Sequence, residues 1–171
     1  GDLDLADGSR TGIRIWRNTD GRFADVTGEM LGSTAAAEAT GALAGDFDND
    51  GHADLLVLRP AGVSLLRRNP AGGFVDVTTS AELGRTAGAP TSAAWLDADH
   101  DGDLDLFVAS GSGDAASPSG TQLLRNNGNG RFTDITSASG LGVTRPVLAV
   151  VPTDYDNRRD IDLLLVPATG N

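Results

Sequence analysis

Two nine-residue segments carry enough regularly spaced carboxylates to hold a metal ion. Asp46-x-Asp48-x-Asp50-Gly51-His52-x-Asp54 and Asp97-x-Asp99-x-Asp101-Gly102-Asp103-x-Asp105 place aspartates at positions 1, 3, 5 and 9. Hard oxygen donors at alternating positions wrap a Ca2+ ion, glycine at position 6 permits the sharp turn, and position 7 offers its carbonyl oxygen. An EF-hand would need a bidentate Glu at position 12 between two helices, but that position is Val57 in one segment and Val108 in the other. Mg2+ fits less well, because it demands a stiffer octahedron with retained water. An acidic turn that merely keeps a sheet edge soluble is the plainer alternative. It leaves four neighbouring carboxylates repelling one another without compensation.

A third segment, Asp154-Tyr155-Asp156-Asn157-Arg158-Arg159-Asp160-Ile161-Asp162, departs from the pattern. Arg158 stands at position 5 and Arg159 replaces the turn glycine, so the loop is expected to hold no Ca2+. A guanidinium bridging two carboxylates would supply the compensation instead, with Arg158 the better placed of the two arginines. Gly1-Asp2-Leu3-Asp4 corresponds to positions 6 to 9 of a fourth such loop, so the chain reads as a segment of a longer array.

Other reactive side chains read as structural. His52 and His100 fall inside the acidic loops, at positions 7 and 4, where surface exposure accounts for them. Trp16 and Trp95 could stack on a sugar ring, but packing between elements is the commoner fate of a strand tryptophan. Asp25, Asp76 and Asp134, with Thr27, Thr78 and Thr136, recur once per repeat, which suits hydrogen bonding at a turn or strand edge better than catalysis. Neither a Ser/His/Asp set nor a phosphate-cradling glycine loop stands out. With no cysteine, thiolate nucleophiles, thiolate metal sites and disulfides are excluded together. No catalytic residue is assigned.

The elements that position the acidic loops follow from a repeat. Asp4, Asp54, Asp105 and Asp162 recur at intervals of 50, 51 and 57 residues. Behind the first three come an Arg-Asn pair (Arg17-Asn18, Arg68-Asn69, Arg125-Asn126), then Phe-x-Asp-(Val/Ile)-Thr (Phe23 to Thr27, Phe74 to Thr78, Phe132 to Thr136), then Leu-Gly (Leu31-Gly32, Leu83-Gly84, Leu141-Gly142). The longer interval reflects a Gly/Ser/Pro stretch over Ser110 to Gly120, read as an enlarged loop. Repeats therefore fall at about 1–38 (partial), 39–89, 90–145 and 146–171 (partial). The strand before each loop is rich in small residues, and the one after it is nearly all apolar, as in Leu55-Leu56-Val57-Leu58. That pattern describes a strand covered on both faces. Four short strands per repeat of about 50 residues predict radially stacked blades. The fold class is all-β, a partial β-propeller of about three four-stranded blades. A helical solenoid is excluded, since no stretch of a dozen residues keeps 3.6-residue periodicity free of Gly or Pro. About three blades cannot close a ring of at least roughly four, so the outer faces should be covered by more of the polypeptide or by neighbouring chains.

The 171 residues include 21 Asp, 3 Glu, 13 Arg and no Lys, for a net charge of −11. Such a surface repels nucleic acid and anionic membranes, and no apolar run approaches the roughly 18 residues of a membrane span.

Asp-x-Asp-x-Asp-Gly-x-x-Asp-Leu between strands resembles the calcium loop of integrin-type FG-GAP (VCBS) propeller repeats. The segment Leu124 to Thr136, with Gly140-Leu141 after it, is similar to the cartilage-acidic-protein, or ASPIC/UnbV-associated, branch. The resemblance implies a secreted, extracellular or periplasmic propeller rigidified by calcium, with an adhesion, matrix or scaffold role in a family many of whose members lack any known activity, and the chain is read as non-enzymatic. It also implies the ligands: Asp46, Asp48, Asp50 and Asp54 with the His52 carbonyl, and Asp97, Asp99, Asp101 and Asp105 with the Asp103 carbonyl. The implied partner is a protein or a glycan, or the remaining blades of a longer chain or larger assembly. The other readings are the non-catalytic propeller part of a carbohydrate-active enzyme, and a lectin.

Overall fold

The computed structural model describes residues 4–33, 37–83, 88–111, 120–141, 145–158 and 160–168. Gly1 to Leu3, most of the enlarged loop after Ser110, and Arg159 lie outside the described residues.

Four antiparallel sheets follow one another along the chain. The first holds β1 (Leu5–Ser9), β2 (Gly12–Thr19) and β3 (Arg22–Asp25), followed by a single-turn helix α1 (Thr27–Leu31). The second holds β4 (Gly41–Gly45), β5 (Asp54–Arg59), β6 (Gly62–Arg68) and β7 (Phe74–Asp76). The third repeats this plan with β8 (Pro90–Leu96), β9 (Asp105–Ser110), β10 (Gln122–Asn126) and β11 (Phe132–Asp134). The fourth holds β12 (Val147–Thr153) and β13 (Asp162–Pro167). Strands pair in chain order within every sheet, and β1 lies against β4, β4 against β8, and β8 against β12. This is the expected all-β partial propeller, with each acidic loop joining the first two strands of its sheet.

Local chemistry makes these strands. Asp20-Gly21 links β2 to β3 with both residues at positive φ (52° and 81°), which a two-residue type I′ hairpin requires. The apolar strands β5 and β9 are buried along both faces, with Leu56, Val57, Leu106, Phe107 and Val108 all at 0% exposure. Alternate residues of β5 serve two different seams. Leu55 and Val57 pack with Ile13 and Ile15 of the first sheet, while Leu56 and Leu58 pack with Leu106, Val108, Leu124 and Phe132 of the third. A third apolar cluster joins Phe107 and Ala109 to Val147 and Val150 of the fourth sheet.

Small residues in the strands before the loops have a steric reason. Gly45 lies under the Trp95 indole, and a Cβ there would sit 2.6 Å from two ring atoms. Trp95 is thus a seam residue, its ring centroid 6.4 Å from that of Phe132, which is also 6.0 Å from that of Phe47. In the neighbouring seam Ala44 holds the register position of Trp95, and a cavity of about 310 Å³ opens there beside Arg17, Met30, Arg68 and Phe74.

The Phe-x-Asp-(Val/Ile)-Thr element is a hydrogen-bonding corner, as its repetition suggested. Thr27, Thr78 and Thr136 each offer Oγ1 to the backbone N–H of Ile15, Leu65 and Leu123, at 2.9–3.0 Å. Asp25, Asp76 and Asp134 in turn accept the N–H of those threonines at 2.9 Å. The Thr hydroxyl thereby extends the ladder one step beyond the last strand.

The Arg-Asn pairs need one correction. Trp16 faces Asp25, Leu66 faces Asp76 and Leu124 faces Asp134, so Arg67-Arg68, not Arg68-Asn69, is the counterpart of Arg17-Asn18 and Arg125-Asn126. The corner threonines set this register, and Asn69 is left in the turn, where its Oδ1 accepts the Ala71 N–H at 2.9 Å.

Thr78→Val keeps the shape of the corner but strands the Leu65 N–H without an acceptor. A loss of about 1–3 kcal/mol is expected by denaturant unfolding, with Thr78→Ser retaining most of the stability.

Candidate metal centres

Each acidic loop is wound by its own carboxylates. Asp46 accepts the N–H groups of Asp50 (3.0 Å) and Gly51 (2.9 Å), and Asp50 accepts that of His52 at 2.8 Å. The second loop repeats this: Asp97 accepts Asp101 (3.1 Å) and Gly102 (3.2 Å), and Asp101 accepts Asp103 at 2.9 Å. Such winding needs left-handed backbone at two places. Position 6 is glycine, with φ of 84° at Gly51 and 91° at Gly102; position 4 is Asn49 (56°) or His100 (61°). The glycine requirement was legible beforehand, whereas the left-handed position 4 carried no signal beyond asparagine's tolerance of that region.

The result brings Asp46, Asp48 and Asp50 together, each with an oxygen within 4.8 Å of the others, and does the same for Asp97, Asp99 and Asp101. Asp54 and Asp105 occupy a different situation. Both are fully buried, and both oxygens of each accept backbone N–H groups. Asp54 takes Phe47 at 3.2 Å and Arg68 at 2.7 Å; Asp105 takes Ala98 at 2.9 Å and Asn126 at 2.7 Å. Position 9 thus fastens the loop to the third strand of its sheet, a role that spacing alone did not reveal. Each acceptor oxygen retains a second lone pair.

These carboxylates are electrostatically uncomfortable on their own. Burial pushes the Asp54 carboxyl up to about 6, against the pull of the Arg68 and Phe47 N–H groups and with the further push of Asp48 and Asp50. Asp105 is raised by the same burial, with Asp99 and Asp101 adding to it. Asp48 is raised too, first by burial and then by the Asp50 charge, and its Oδ1 is shielded from solvent without a hydrogen-bond partner. A shielded, unpartnered carboxylate oxygen on a residue that converges with two other aspartates is the environment a hard divalent cation satisfies.

The third loop keeps the backbone winding without the full charge. The Arg158 N–H bonds Asp154 at 2.9 Å as position 5 does elsewhere, and Asp162 accepts the Tyr155 N–H at 3.2 Å. Asp154, Asp156 and Asp162 still converge within 4.8 Å. The expected bidentate bridge is not formed among the described residues. Arg158 meets Asp156 alone, through Nε at 3.2 Å, and its side chain is 78% exposed. Winding sets the backbone of position 5, while the long guanidinium stem is free to turn outward to water.

The loops are also chained to one another. Asn49 at position 4 donates to Asp103 at position 7 of the next loop (2.7 Å), and His100 at position 4 meets Asp160 at position 7 of the one after (3.2 Å). Asn126 adds a buried link, donating to the Phe47 carbonyl at 2.7 Å. His52 and His100 are both exposed, as expected.

A family model described as an FG-GAP-like repeat matches residues 1–57 and again residues 46–108, so the two matches overlap on the first complete acidic loop. Among curated proteins, none matches the sequence.

The raised Asp54 has a pH consequence in metal-free solution. A buried acid with an elevated pKa binds its proton more tightly when folded, so its stabilising contribution is present below about pH 4 and lost as the pH rises through about 6. Melting curves of metal-free protein should show an Asp54-dependent decline between pH 4 and 6, flattened in Asp54→Asn.

Proposed function

The chain belongs to the FG-GAP-like repeat family, and from that premise we propose that it is a calcium-stabilised, non-enzymatic propeller module with a binding, adhesion or scaffold role outside the cytoplasm. The observation that carries the calcium reading is the convergence of Asp46, Asp48 and Asp50, on a loop where Asp48 Oδ1 is shielded from solvent and unpartnered. Asp46, Asp48, Asp50 and Asp54 with the His52 carbonyl would hold one ion. Asp97, Asp99, Asp101 and Asp105 with the Asp103 carbonyl would hold a second. The third loop, with Arg158 beside Asp156, is read as taking none.

Calcium supplies charge compensation here rather than chemistry. Two ions lower the net charge from −11 to −7, and each replaces carboxylate repulsion in its loop by attraction. Open loops of this kind bind in the range of about 10⁻⁴ to 10⁻³ M, which favours the calcium-rich space outside cells. Among the described residues no helix is long and apolar enough to cross a membrane. The acidic surface turns anionic partners away.

The non-enzymatic reading rests on where the reactive side chains are engaged. The repeated Asp and Thr residues complete strand ladders, and His100 bridges two loops. The cartilage-acidic-protein branch is supported by the Leu124 to Thr136 segment, which forms β10, an Asn/Gly turn and β11. A protein or glycan partner fits a module whose loops are rigid when calcium is bound.

Calorimetric titration should give two Ca2+ per chain, and saturation at about 100 times the dissociation constant should add roughly 2.7 kcal/mol per site. Asp48→Asn and Asp99→Asn should each remove one site. If a chelator leaves the melting temperature unchanged, the calcium reading fails.

A further inference from the structure

The two complete acidic loops are joined across the seam between the second and third sheets by two separate links. The buried link passes through Asn126. Its side-chain amide donates to the Phe47 carbonyl at 2.7 Å and to the Leu104 carbonyl at 3.3 Å, so one NH2 group holds position 2 of the first loop and position 8 of the second. Its backbone N–H goes to Asp105 at 2.7 Å, and the Phe47 N–H goes to Asp54 at 3.2 Å. Hydrogen bonds in series therefore connect the two position-9 carboxylates, and Asp54, Phe47, Asn126 and Asp105 are all at 3% exposure or less. The second link lies at the rim, where the Asn49 side chain donates to Asp103 at 2.7 Å. Asp103 also lies against the turn that Asn126 opens. A Cβ on Gly128 would stand 2.8 Å from its Oδ2, and the Gly128 N–H goes to Asn126 Oδ1 at 3.2 Å. The buried link is particular to this seam. Register puts Arg68 at the place of Asn126 in the second sheet, and its guanidinium turns to the Gly73 carbonyl of its own hairpin at 2.8 Å.

We infer that the two Ca2+ sites bind cooperatively, with Asn126 and Asn49 as the positioning residues that carry the order of one loop to the other. The inference rests on the calcium reading above. Phe47 and Asn49 each stand between two of the residues read as ligands in the first loop, so fixing Asp46, Asp48 and Asp50 fixes both. Phe47 then holds Asn126, and through it Asp105; Asn49 holds Asp103, whose carbonyl is read as a ligand of the second ion. Ordering one loop thereby meets part of the ordering cost of its neighbour, and the effect is equal in either direction. Repulsion between two bound cations works against it. That repulsion is screened beyond about 8 Å at physiological ionic strength, whereas the links are direct contacts that salt reaches poorly.

The test is calorimetric titration of the full chain with Ca2+ at physiological ionic strength, beside Asp48→Asn and Asp99→Asn, each of which keeps one site. The product of the parent's two binding constants should exceed the product of the two one-site constants by about 5-fold or more. Asn49→Gly removes the rim link and suits the left-handed backbone there (φ 56°). Asn126→Ser keeps the backbone N–H to Asp105 and offers a hydroxyl to the Gly128 N–H, but is too short to reach Phe47. With both substitutions, and the one-site variants remade in that background, two ions should still bind and the ratio should fall to unity. A purely structural role for these residues would lower the melting temperature and leave the ratio unchanged. Should Asn126→Ser not fold by circular dichroism, Asn49→Gly alone must lower the ratio, and an unchanged ratio overturns the inference. Two ions bound with a parent ratio at or below unity overturn it while the calcium reading stands, and no binding at all overturns both. A raised ratio that survives both substitutions places the coupling elsewhere and overturns the inference as well.

Discussion

A carboxylate buried at the last position of each of the two complete acidic loops holds the architecture together. Asp54 and Asp105 have no solvent exposure, and each ties the second residue of its loop to the third strand of its sheet through two backbone N–H groups. Hydrogen bonds to an ionised acceptor are among the stronger ones available, and leaving such a group unpaired in the interior would cost far more than the bond returns. The loop cannot move without breaking them. The sheet order, the convergence of positions 1, 3 and 5, and the proximity of successive loops all depend on that anchor.

The same anchor creates the electrostatic problem that a cation relieves. Burial raises Asp54 and Asp105, and the winding of the loop sets further carboxylates close by. Two charges of one sign at a few ångströms are tolerated only when something of the opposite sign sits between them. In the third loop Arg158 supplies positive charge near Asp156, at a distance from which water still reaches it. Stability and ion binding are therefore one question in this fold: the groups that fasten the loop are neighbours of those that would hold the ion.

Packing between sheets follows a simpler rule. β5 and β9 are apolar on both sides because their alternate residues belong to different seams, and β4 is built of small residues where it runs beside β8 of the next sheet. Trp95 over Gly45 and the cavity beside Ala44 show how much one side chain changes a seam while the backbone plan persists. Loop-to-loop bonds from position 4 to position 7 link neighbouring sheets at their rim, so the acidic ends are tied together rather than hanging as separate turns.

Much of this was determined by the amino-acid sequence alone. The repeat interval, the Asp-Gly hairpin, the turn glycines, the doubly covered strands and the alternating carboxylates are local patterns, and local patterns set backbone conformation over a few residues. β5 contains Leu55-Leu56-Val57-Leu58, the apolar run that the sequence places in the strand after the loop. The Arg-Asn pairs misled by one residue, because a side-chain likeness is weaker than the hydrogen bonds of Thr27, Thr78 and Thr136 that set the register. Tertiary structure alone decided that Asp54 and Asp105 lie in the interior as backbone acceptors, that Asn126 reaches Phe47 across 79 residues, and that Asn49 reaches Asp103 across 54. It also decided that Leu56 is fully buried, since its own sheet gives it only Leu43 and Leu65 as cross-strand partners and the third sheet supplies the rest of its cover. Partner choice among polar groups and the covering of a face depend on which distant segments meet, and that information is carried by the packing of whole sheets, not by any short stretch of chain.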